Sequence, residues 1–60
     1  MFRLNVYMNR NSHGPSFFHD REKETECRKL AFNVIKEGPK PERMEIVNAE
    51  GFEVYAWERG

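Results

Sequence analysis

A single cysteine, Cys27, occurs among the 60 residues, so the chain cannot form an internal disulfide. Small secreted domains usually depend on several such bridges, which makes an intracellular, cytoplasmic protein the expectation. Long apolar runs are missing as well. Nothing approaches the roughly 20 consecutive apolar residues of a membrane-spanning helix, and the opening MFRLNVYM alternates polar with apolar residues, unlike a signal peptide. Net charge is absent too, because ten basic and ten acidic residues cancel. That balance excludes the broad positive field of a nonspecific nucleic-acid binder and the strong acidity of a DNA mimic.

Recognisable chemistry is equally scarce. His13, His19 and Cys27 match no zinc-binding spacing, so no metal is expected. Arg10 through Gly14, RNSHG, is a polar turn without the spacing of a phosphate loop. His19 beside Asp20 reads as a solvated pair near a helix start rather than an acid–base couple, and no oxyanion-stabilising element accompanies Cys27. Sixty residues make one domain, residues 1–60, able to bury only about 60% of its unfolded surface. Such a chain has little material for a pocket enclosing a substrate. No catalytic residue, cofactor or enzymatic activity is expected.

What the sequence does contain is one long helical pattern, residues 20–38. Cys27, Leu30, Ala31, Val34 and Ile35 recur at the spacing that lines one side of an α-helix. Asp20 is the expected N-cap, with Glu22, Glu24 and Glu26 favouring the positive end of the helix dipole. Lys36 in the last turn, Gly38 in a left-handed closing conformation, and Pro39 and Pro41 beyond it mark the stop.

Short strands flank this helix. Phe2, Leu4, Val6 and Met8 alternate with Arg3, Asn5, Tyr7 and Asn9, the pattern of a strand with one face on a core. Residues 16–19 supply a short second strand, in which Phe17 and Phe18 point to opposite faces, one of them toward the core. After the stiff connector GPKPE, residues 43–48 and 52–57 form a hairpin whose loop, Asn48-Ala49-Glu50-Gly51, uses Gly51 at positive φ. Counting across that loop places Met44, Ile46, Phe52, Val54 and Ala56 inward. The expected class is α+β: a small antiparallel sheet of three to four strands with one helix on one face, ββαββ, or βαββ without the second strand. Strand order stays open.

The same count places Tyr7, Tyr55 and Trp57 on the face away from the helix, with Arg3, Asn5, Arg43, Glu45, Val47 and Glu53. Exposed aromatics on a sheet serve as anchors for a protein partner or as stacking platforms for single-stranded nucleic acid, with Arg3 and Arg43 contacting phosphate. The competing reading is cross-strand packing that only stabilises the sheet. Glu45 and Glu53 on that face oppose phosphate, so nucleic acid is disfavoured and a protein partner preferred. Phe32 lies off the apolar stripe, expected to be partly exposed. It serves as a second contact, a homodimer interface, or a cover for the proline connector. The candidate partner-binding residues are therefore Arg3, Tyr7, Phe32, Arg43, Tyr55 and Trp57, and no membrane partner is expected.

A hairpin, an amphipathic helix and a second hairpin ending in MEIVNAEGFEVYAWERG resemble the layout of small phage-encoded inhibitors, including some anti-CRISPR proteins. The resemblance covers most of the chain as architecture and residues 44–57 as sequence. It implies a non-enzymatic inhibitor that blocks a host protein by occupying its surface. It transfers no residue roles, and the neutral charge departs from the acidic members of that group.

Overall fold

The computed structural model describes residues 1–11 and 13–60. Its elements are β1 (Phe2–Tyr7), β2 (Phe17–Arg21), α1 (Glu24–Glu37), β3 (Arg43–Val47) and β4 (Glu53–Glu58). The strands form one antiparallel sheet in the order β2-β1-β3-β4, with α1 on one face, which is the α+β fold in ββαββ order. The expected RNSHG turn includes Ser12, which lies outside the described residues. Among the described residues no helix is long and apolar enough to cross a membrane.

The core forms where the alternating strands meet the helical stripe. Leu4 and Val6 from β1, Met44 and Ile46 from β3, and Cys27 and Ala31 from α1 are buried together, flanked by Phe2, Met8, Leu30, Val34 and Ile35. Both β2 and β3 are antiparallel to β1, so they run in one sense, and α1 returns between them over β1. The helix therefore runs in the sense of β1 and β4. It approaches β1, β2 and β3 but not β4, so the sheet extends one strand beyond its cover.

Two helix boundaries differ from the sequence expectation. Asp20 is not the N-cap. It pairs with Arg3 inside β2, whose ladder runs on to Arg21 opposite Phe2. Lys23 occupies the cap position without a side-chain cap bond, and its carbonyl accepts from the amides of Glu26 and Cys27. Gly38 closes the helix through its amide to the Val34 carbonyl at 3.4 Å, but its backbone is extended, with φ −123° and ψ −173°, rather than left-handed.

A larger correction concerns β4. The loop closes as expected: the Asn48 amide donates to the Phe52 carbonyl, Gly51 has φ 86°, and Asn48 Oδ1 accepts from the amides of Glu50 and Phe52. Continued regularly, that loop would place Val54 opposite Ile46. A register shift instead puts Tyr55 opposite Ile46 and Trp57 opposite Met44. One extra residue in a strand exchanges its two faces. Tyr55 and Trp57 consequently lie on the helix side and pack against the core, while Ala56 faces Glu45 on the open side. Phe52, expected inside, is 69% exposed. Val54 still packs against the core as expected, and the exchange adds the large aromatic surface of Tyr55 and Trp57 to it while Ala56 turns out, which is the direction that apolar burial favours.

Neither phenylalanine of β2 is buried. Phe17 stands opposite Val6 on the helix side and is 40% exposed, whereas Phe18 stands opposite Asn5 on the open side and is 50% exposed.

Candidate functional site

The six candidate residues fall on two sides of the sheet. Arg3, Tyr7 and Arg43 share the open face, and Tyr55, Trp57 and Phe32 belong to the helix side. The aromatic platform expected from alternation is therefore not assembled.

On the open face each arginine is held twice. The Arg3 guanidinium donates to both carboxylate oxygens of Asp20, at 2.7 and 3.1 Å, and lies over the Phe18 ring at 4.1 Å. Such a fork fixes orientation as well as charge. Arg43 lies 3.7 Å from the centre of the Tyr7 ring, with Nη1 3.7 Å from Glu45 Oε1. The other oxygen of Glu45 accepts from Tyr7 Oη at 2.9 Å and Asn5 Nδ2 at 3.1 Å. Tyr7, expected to be open to a partner, is only 8% exposed beneath this cover.

The ionisation of these groups follows from their neighbours. The hydrogen bond from Arg3 holds the Asp20 carboxyl below its ordinary range. Burial, then the hydrogen bond to Glu45, raises the Tyr7 phenol above its ordinary value. Both effects favour the forms present near neutral pH, an ionised carboxylate and a neutral phenol. Arg3, Asn5, Tyr7, Asp20, Arg43 and Glu45 are thus a network whose charges and donors already have partners.

The helix side is different. Arg28 lies over the Tyr55 ring at 4.7 Å while donating to Glu24 at 2.7 Å, so it ties the helix flank to the uncovered strand. Arg28, Phe32 and Ile35 follow at i, i+4 and i+7 and share that flank. Phe32 is 64% exposed, while Tyr55, Trp57 and Ile35 are half-buried. Tyr55 and Trp57 thus form an apolar ledge on the helix side of β4, beyond the strands that the helix covers. Phe32 was legible as an off-stripe residue, but the placement of Tyr55 and Trp57 on the helix side required the β4 register shift.

The opposite flank of the helix forms a groove of about 390 Å³ with β1 and β2, lined by Met8, Phe17, Leu30, Val34 and Pro39 among others. At one end of the sheet Glu42 bridges Arg10, at 3.3 Å, and Arg59. Pro41, part of the expected connector, is fully buried, and the Glu42 amide donates to the Tyr7 carbonyl. Neither role has a signal in the local sequence pattern. Cys27 is in the core, where burial raises its thiol pKa, and His19 packs edge-on against Phe17. No group of three or more His, Cys, Asp or Glu side chains is arranged to hold a metal among the described residues.

No protein-family model matches the chain, and no curated protein or solved structure shows significant similarity to it.

Proposed function

We propose that this chain is a small non-enzymatic protein-binding module that acts by occupying a partner's surface, in the manner of phage-encoded inhibitors. The observation that carries the reading is Phe32. A large aromatic held 64% exposed on a helix flank offers the kind of apolar anchor around which protein interfaces concentrate their energy. The balance of the open face adds support, since its arginines are already committed to carboxylates and rings. A nucleic-acid interface would have to release Arg3 from Asp20 and Arg43 from Glu45 before either could meet phosphate.

Affinity capture with the purified chain tests the proposal. A specific protein partner should be retained by the parent chain and by Arg3→Ala, and lost with Phe32→Ala. Retention by Phe32→Ala together with Trp57→Phe overturns the assignment of this surface. Binding to a single-stranded oligonucleotide that weakens steeply with salt and is lost in Arg43→Ala overturns the reading itself.

A further inference from the structure

Resting on that reading, we infer that the partner adds an extended segment to the free edge of β4, with apolar side chains on the helix side and basic ones on the open side. Three features lead to this occupant. First, β4 ends the sheet, so half of its backbone donors and acceptors face solvent, the arrangement that accepts another strand. The register shift lies at its beginning, leaving Tyr55 to Glu58 regularly paired with β3. Second, the ledge of Tyr55 and Trp57 lies along this strand on one side only. Every second residue of an added strand would meet it.

Third, the charges that β4 itself carries have one sign. Glu53 stands opposite Val47 and Glu58 opposite Arg43, which puts both on the open side. Neither carboxylate forms an ion pair with a described residue, and β4 contains no cation. A second copy pairing through β4 would bring two further glutamates to the same seam, whereas a segment carrying lysine or arginine there would neutralise them. Like charge thus disfavours the self-pairing that a bare edge otherwise permits. The other edge, β2, is less available, because Arg21 Nη1 already donates to the Asp20 carbonyl at 2.7 Å.

The test uses the whole chain and synthetic ten-residue peptides. A peptide alternating valine with lysine should shift Trp57 emission saturably and slow hydrogen exchange at alternate β4 amides. A valine–glutamate counterpart should bind about tenfold more weakly or worse, and Glu58→Lys should cancel that preference. N-methylation of alternate peptide amides should abolish binding, because it removes strand pairing while keeping the side chains. Equal binding of the two peptides, binding that survives N-methylation, or protection appearing at β2 overturns the inference. So does a concentration-dependent dimer with protected β4 amides in the free protein, which would make a second copy the occupant. Partner capture that needs Phe32 but survives Glu58→Lys and leaves β4 amides exchanging freely overturns strand addition while retaining the protein-binding proposal. Capture indifferent to Phe32 and Trp57 removes both.

Discussion

The two faces of this sheet are stabilised by different means. On the helix side Leu4, Val6, Met44 and Ile46 are buried against Cys27 and Ala31. On the open side Arg3, Asn5, Tyr7, Arg43 and Glu45 are held by hydrogen bonds and ring contacts, with no second layer above them. Burial removes apolar area from water and is costly to interrupt. Exposed pairing mostly exchanges water partners for protein ones and contributes little. The sheet can therefore leave one face open with the polar side chains of β1 and β3 paired, and the helix need not reach β4.

Truncating the covered face should have the largest effect. Leu4→Ala or Ile46→Ala should cost about 2–5 kcal/mol through lost transfer energy and an unfilled cavity. At ~0.05–0.15 kcal/mol per residue, a domain of 60 residues has little more than that in reserve. Either variant should have a strongly lowered denaturant midpoint or be largely unfolded. Cys27 supplies an internal readout. With no exposed surface and a pKa raised by burial, its thiol should resist a disulfide reagent in the parent chain and react readily in these variants. A midpoint unchanged by both truncations would show that the core does not carry the fold.

Tyr7→Phe should be milder, costing about 0.5–1.5 kcal/mol, because it removes one hydrogen bond and leaves the ring beneath Arg43. Ionisation provides a second measurement. The folded pKa of Tyr7 is raised, so its contribution should be complete below the ordinary value of 10.0 and disappear as pH rises through the folded value. Phenolate absorbance should show one tyrosine titrating late, and Glu45→Gln should bring it earlier. A Tyr7 titration unaffected by Glu45→Gln would sever the link between phenol and carboxylate.

Arg3 and Asp20 should matter less, since both are solvent-exposed. The Asp20 pKa is lowered, so its contribution is present above the ordinary value of 3.8 and lost as pH falls through the depressed folded value. Arg3→Ala should return the Asp20 carboxyl toward its ordinary range, as followed by carbon NMR, with only a slight change in thermal midpoint. An Asp20 titration indifferent to Arg3 would place the fork elsewhere in solution.

These contrasts also show where sequence pattern ceased to be informative. Leu4, Val6, Met44 and Ile46 were legible because each alternates with polar neighbours in a strand without an insertion. The helical stripe through Cys27 and Ala31 was legible by the same kind of periodicity. Asp20 was misread because a good capping side chain is also a good partner for arginine, and Arg3 lies far away in sequence but opposite it in the sheet. Tyr55 and Trp57 were misread for a different reason. The loop at Gly51 fixes only the start of the pairing, and β4 gives no local sign of the residue that slips its register. Because Val54, Tyr55, Ala56 and Trp57 can all face a core, alternation alone left both faces plausible. The candidate surface was therefore partly visible as residues but not as an arrangement.

Phe32 provides the smallest expected effect on stability. Its ring is mostly in water, so Phe32→Ala should change the unfolding free energy by no more than about 0.5 kcal/mol, as is usual for exposed positions away from special contacts. Helix propensity reinforces this, because alanine is the better helix former and offsets part of any lost contact. The comparison becomes useful when the same variant is assayed for binding. A residue that contributes nothing to folding but whose removal abolishes capture belongs to an interface, as proposed. If denaturant unfolding instead shows Phe32→Ala costing as much as Leu4→Ala, the ring is packed on Trp57 in solution. The ledge would then be an extension of the core, covering β4 as the helix covers the other three strands, and the uncovered edge alone would remain for a partner.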